Sequence, residues 1–192
     1  MNKPEVIIIH HSATKDGTTK DFNAIKRYHV ENLGWRDIGY NWVIERVNGV
    51  ATVIQGRSEN ISGAHTKGMN DKSIGICVVG NYDKDNVSTD MYNELVDLIA
   101  DIRSRYGDLP LKQHSDYANK TCPGLNFPFN QIVKDTNSSK CPQWKEDAVQ
   151  WALREGVIDS YHDPLEPLDI GSYLEIERKK SSRKKEFGGY YG

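Results

Sequence analysis

The pattern of apolar and polar residues along the chain alternates between strand and helix periods. Glu5 to Ile9 carries a near-continuous β-branched run of the kind found in strands buried on both faces, and predicts a first strand. After a polar loop, Phe22, Ile25 and Leu33 keep helical spacing between Asp21, the predicted N-cap, and Gly34, the predicted stop. Tyr40 to Arg46 and Ala51 to Gln55 predict two strands joined at Asn48-Gly49, a dipeptide suited to a tight hairpin turn. Ser73 to Gly80 predicts another buried strand. Met91, Leu95, Leu98, Ile99, Ile102 and Tyr106 fall on one face of a long amphipathic helix ending at Gly107. Strands and helices intermingle, so the expected class is α/β, with a central mixed β-sheet flanked by helices.

The pattern changes at Lys134 to Lys140, where the polar run KDTNSSK reads as a linker. Beyond it, Trp144, Ala148, Trp151 and Ala152 form a helical stripe closed by Gly156, and a second helix is expected from about Ile170. The expected organisation is a main domain over residues 1–135, a linker over 136–142, a small helical module over 143–178 and a basic, disordered tail over 179–192.

Composition narrows the function classes. The hydrophobic fraction is 37%, the charged fraction 27% and the mean hydropathy -0.68, values of a well-hydrated globular chain with no candidate membrane span. A formal charge of -2 gives no general attraction to nucleic acid or anionic lipid, and neither is an expected partner. The N-terminal apolar run is too short for a secretory signal and reads as a strand instead. Three cysteines at irregular spacing argue against a disulfide framework. Cys77 sits in a buried-strand pattern and reads as a small core residue, whereas Cys141 reads as part of the linker.

Cys122 has different neighbours. His114 and Cys122 bracket the polar segment HSDYANKTC, and His10 ends the first strand, where a side chain can project past the sheet edge. Two imidazoles and one thiolate suit zinc, and three protein ligands leave a fourth position open, as in catalytic sites. His11 is an unsuitable fourth ligand because adjacent strand residues point to opposite faces. His29 and His162 read as surface or packing residues.

The words IIIHHSAT, GWRDIGYNWVIER, GAHTKGMNDKSIGICVVGNYD and HSDYANKTCPG occur in this order over roughly residues 5 to 130. In sequence and order they resemble the type-2 N-acetylmuramoyl-L-alanine amidase family, which includes peptidoglycan recognition proteins and small phage lysozymes that act as amidases. The resemblance implies a Zn2+ cofactor on His10, His114 and Cys122, catalytic roles for Tyr40 and Lys120, and a substrate contact at His65. It implies hydrolysis of the amide between N-acetylmuramic acid and L-alanine of peptidoglycan by a phage or prophage endolysin. Such an endolysin is expected to be a monomer that stays in the host cytoplasm until lysis. The alternative is a protein that binds peptidoglycan without cutting it. The segment from Trp144 onward resembles an S-layer-homology-like repeat, with Leu168-Asp169 where such repeats often carry Thr-Arg.

Overall fold

The computed structural model describes residues 2–15, 21–137 and 143–156. The chain divides into two units, residues 1–136 and 137–192. In the first unit the β-branched run becomes β1 (Val6–His11), an interior parallel strand, every residue of which is buried. β1 pairs on one side with β4 (Ser73–Val78) and on the other with β5 (Leu111–Gln113), both parallel. β2 (Trp42–Val47) is parallel to β4 and antiparallel to β3 (Val50–Gln55), giving the order β3-β2-β4-β1-β5. The sheet is mixed and the fold is α/β, as the patterning predicts.

Alternation along the central strands fills two layers. Ile7 and Ile9 of β1, with Ile74, Ile76 and Val78 of β4, face the larger cluster, which is covered by α2 (Thr89–Tyr106) and α3 (Phe129–Asn137). Full burial of each such isoleucine contributes about 1.5–3 kcal/mol, so this layer dominates the apolar stabilisation. Met91, Leu95, Leu98, Ile99 and Ile102 form the buried stripe of α2, while Tyr106 lies exposed at its end. Cys77 faces the other layer, with Ile38, Val43, Val79 and the side chains of Phe22 and Ile25.

Several local features depart from the sequence pattern for physical reasons. The first helix is regular only over α1 (Asp21–Arg27) and continues as a π-helical turn over Tyr28–Asn32, closed by the Leu33 N–H donating to the Tyr28 carbonyl. Asp21 lies inside the first turn rather than capping it. The Phe22 N–H donates to the buried Glu45 carboxylate instead. β2 starts at Trp42 because the backbone around Tyr40 and Asn41 is taken up by Gly56, Arg57 and Gly75. Asn48 and Gly49 both hold positive φ, 52° and 83°, the conformation this hairpin turn requires.

The polar run from Lys134 begins inside α3, where Thr136 Oγ1 donates to the Ile132 carbonyl and Asp135 accepts from Tyr92 and Gln131. In the second unit, α4 (Gln143–Arg154) occupies the expected stripe and Gly156 follows with φ 62°. The expected second helix near Ile170, the S-layer-homology-like repeat beyond residue 156, Cys141, His162 and the basic tail lie outside the described residues. Among the described residues no helix is long and apolar enough to cross a membrane.

Candidate active site

The sheet itself brings the first two candidate ligands together. β1 and β5 run parallel with Ile9 opposite Gln113, so the next residues, His10 and His114, emerge side by side at the carboxyl edge of the sheet. Their ring centroids are 4.5 Å apart. In open α/β sheets this edge is the usual place for ligand sites, because strand ends and the loops after them present side chains to a common crevice. Cys122 returns to the same edge through a loop held by the Ser115 N–H donating to its carbonyl at 2.9 Å. The Cys122–Pro123 peptide is cis. The His11 N–H donates to Cys122 Sγ at 3.4 Å, and His10 Nδ1 lies 3.9 Å from the same sulfur. One ligand atom from each of His10, His114 and Cys122 lies within 4.8 Å of the others, a spacing that one metal ion can bridge.

The donor set fits zinc on chemical grounds. Burial lowers the His10 pKa well below its ordinary value, aided by His65 and His114, and burial lowers that of His114 as well, so both rings are neutral and able to ligate. Burial pushes the Cys122 thiol up to about 11, although the His11 N–H and Lys120 act in the other direction. Without a cation this thiol stays protonated, which disfavours a cysteine nucleophile. A bound dication reverses the balance, because a coordinating thiol is deprotonated outright.

A cleft of about 540 Å³ opens over these groups, lined among others by His10, Tyr40, His114, Lys120 and Cys122. All five residues thus share one space. The Tyr40 ring lies 5.2 Å from that of His10, and burial, with the two sulfurs Cys77 and Cys122 nearby, raises its hydroxyl pKa well above 10. Tyr40 is therefore a hydrogen-bond donor at neutral pH. Asp83, also on the cleft, accepts from Thr121 Oγ1 at 2.8 Å and from the Leu125 N–H at 3.0 Å, clamping the loop on both sides of Cys122.

His11 also borders the cleft but is not part of the His10, His114 and Cys122 cluster, and its Nδ1 accepts from the Tyr82 N–H at 3.2 Å. His65 lies behind His10, with its Nδ1 3.0 Å from His10 Nε2, and is absent from the residues lining the cleft.

Matching these features to known proteins, the N-acetylmuramoyl-L-alanine amidase family profile covers residues 1–125. The chain belongs to the N-acetylmuramoyl-L-alanine amidase family. Among relatives of this amidase-family chain, the endolysin of Enterobacteria phage T3 is 35% identical over 128 residues, 64% of this chain and 82% of the endolysin. Peptidoglycan-recognition protein SC2 of Drosophila melanogaster is 35% identical over 133 residues, 65% of this chain and 70% of that protein. Among solved structures, the N-acetylmuramoyl-L-alanine amidase LysC from Clostridium intestinale URNW superposes with a TM-score of 0.64 at 32% identity, covering 71% of this chain and 87% of LysC.

Of the surface and packing readings for His29, the structure supports packing. His29 is buried, and its Nδ1 accepts from the Gly39 N–H at 3.0 Å. With Tyr40, Ser12 and Tyr28 it lines a second cavity of about 390 Å³. A lone histidine on an amphipathic helix gives no signal of this.

The slot that holds His65 gives a direct test of the packing. A Cβ built on Gly75, in the middle of β4, would stand 2.6 Å from two atoms of the His65 ring. Glycine inside a strand marks such close approaches. Gly75→Ala should therefore destabilise the protein by about 1–3 kcal/mol, the cost of overpacking a filled interior. Thermal melting of the purified variant checks this, and a melting temperature equal to that of the parent would contradict the slot.

Proposed function

We propose that this protein hydrolyses the amide bond between N-acetylmuramic acid and L-alanine in peptidoglycan, with Zn2+ on His10, His114 and Cys122, as an endolysin of phage or prophage type. The observation that carries the reading is the convergence of two neutral imidazoles and a buried thiol within 4.8 Å at a cleft that also holds Tyr40 and Lys120. A zinc ion there supplies a Lewis acid, which acidifies water and polarises an amide carbonyl.

The chain's own groups supply the rest. Lys120 brings a cation to the cleft on the same loop as Cys122, where it can stabilise negative charge developing on the carbonyl oxygen. Tyr40, held protonated by burial, can donate a hydrogen bond at the reacting centre or pass a proton toward the departing alanine amine. The two adjoining cavities meet at Tyr40, giving the glycan and its stem peptide room on either side of that residue. The relationship to phage endolysins supports action on the host wall after release from the cytoplasm.

Product analysis tests the reaction. Purified sacculi treated with the protein should release peptides with new L-alanine amino termini and no new reducing sugar ends. New reducing ends would mean glycosidic cleavage and overturn the proposal. Binding to sacculi with no new termini of either kind would leave a peptidoglycan-recognition role in its place.

A further inference from the structure

The hydrogen-bond chain behind His10 has a direction, and that direction can be read from its far end. Ser73 Oγ lies 2.6 Å from the Met69 carbonyl, which can only accept, so the Ser73 hydroxyl hydrogen is committed there. His65 Nε2 lies 3.4 Å from the same Ser73 Oγ, which is left to accept, so the hydrogen between them belongs to Nε2. A neutral imidazole carries one N–H, and His65 Nδ1 is then a bare acceptor. His10 Nε2, 3.0 Å away, must donate to it. The buried Thr66 hydroxyl lies 3.1 Å from His65 Nδ1 and 3.3 Å from His10 Nε2, and its oxygen can accept a share of the His10 hydrogen, which is compatible with the same polarity.

We propose that His65 is a positioning residue: by accepting the Nε2 hydrogen of His10 it keeps the Nδ1 lone pair of His10 turned toward Cys122 and His114. The inference rests on the reading of His10 as a zinc ligand. It differs from a substrate contact, because the His65 nitrogens are engaged with His10, Thr66 and Ser73 and His65 is not among the residues lining the cleft.

The surroundings of His65 fit this role. Its ring fits against the backbone at Gly63 and Gly75, where no Cβ intervenes. The turn that presents it is fixed by Asn70 Oδ1, which accepts from the backbone N–H groups of His65 and Thr66, each at 2.8 Å. A ligating histidine whose other nitrogen is held in this way has its tautomer and ring orientation set before the metal arrives, and losing such a partner typically costs 10–100-fold in metal affinity.

Two measurements on the full chain test this. In metal-free protein with 15N-labelled histidine, long-range proton–nitrogen correlation spectra should show His10 and His65 each protonated at Nε2 and bare at Nδ1. Zinc affinity, measured by competition with a chromophoric chelator, should fall about 10–100-fold in His65→Phe, which cannot accept. His65→Gln, whose amide can accept from His10 and donate to Ser73, should recover most of that loss. Ser73→Ala, a smaller change that keeps the fold if His65→Phe does not, should leave His65 with a mixture of tautomers in the same spectra. A hydrogen on His10 Nδ1 in the parent protein would overturn the proposal. So would unchanged zinc affinity in folded His65→Phe with a raised KM for muropeptide, which would make His65 a substrate contact. If the parent binds no zinc, the catalytic reading fails on its own, and the spectra still decide the polarity of the chain.

Discussion

Cys122→Ala is expected to reduce wall hydrolysis to background and to lower the zinc content of the purified protein from about one per chain to well below it. The sulfur is buried at the edge of the cleft, where it faces His10 Nδ1 and the His11 N–H. It is thus an integral part of the cluster, and two imidazoles alone would leave half of a tetrahedral site open. Removing the metal from the parent chain should have the same effect on activity as removing the thiol. The difference is that added zinc should restore the parent and not the variant. The metal-free parent should also melt at lower temperature, since a ligand that binds only the folded state, at about 100 times its Kd, adds about 2.7 kcal/mol of stability. Metal analysis, a turbidity assay on sacculi with and without chelator, and a melting curve check these outcomes. Full lytic activity in zinc-free protein would refute the metal reading altogether.

Most of the scaffold that places these ligands is legible in the sequence because it depends on local periodicity. The β-branched run of β1, the Asn48-Gly49 turn and the α2 stripe each carry their signal within a few residues. β5 does not: Leu111–Gln113 is too short to show alternation, yet its pairing with β1 sets His114 beside His10. α3 buries only Ile132 among largely polar neighbours, so its first turns pass for loop and its last for linker. The capping of α1 by Glu45 depends on a contact between segments more than twenty residues apart, and the π-helical turn has no signature in the apolar pattern.

The site divides along the same line. His10, Tyr40, His114, Lys120 and Cys122 stand in sequence words whose resemblance to an amidase family names them, and the structure brings all five to one cleft. The groups that surround them are less visible. His65 stands in such a word too, but its place behind His10 follows from missing side chains at Gly63 and Gly75. Asp83 acts through a loop about forty residues away, and His29 is buried within the π-helical turn, where its Nδ1 accepts from the Gly39 N–H. Residues proposed to act on substrate or metal carry motif signals, whereas those that surround them act through packing that a linear pattern does not contain.

Lys120→Ala should lower kcat by about 10²- to 10³-fold, the range found when one oxyanion donor is removed, which corresponds to about 2.7–4 kcal/mol of transition-state stabilisation. The side chain lies on the cleft beside His114 and Cys122, and its charge acts on three members of the cluster, lowering the pKa of His10, His114 and Cys122. A cation so close to the ligands is poorly suited to anchoring a distant part of the glycan, and well suited to the carbonyl oxygen as it gains charge. Lys120 contributes no ligand atom to the cluster, so zinc content and melting temperature should stay at parental values. Lys120→Arg keeps the charge on a longer, planar group and should recover part of the rate, because the guanidinium differs in reach and shape from the ammonium. Steady-state kinetics on a soluble muropeptide separates the alternatives: a fall in kcat with KM nearly unchanged assigns the lysine to the transition state. A raised KM with normal kcat would move it to substrate binding, and in that case the developing charge would have to be met by Tyr40, whose replacement by phenylalanine should then show the larger loss.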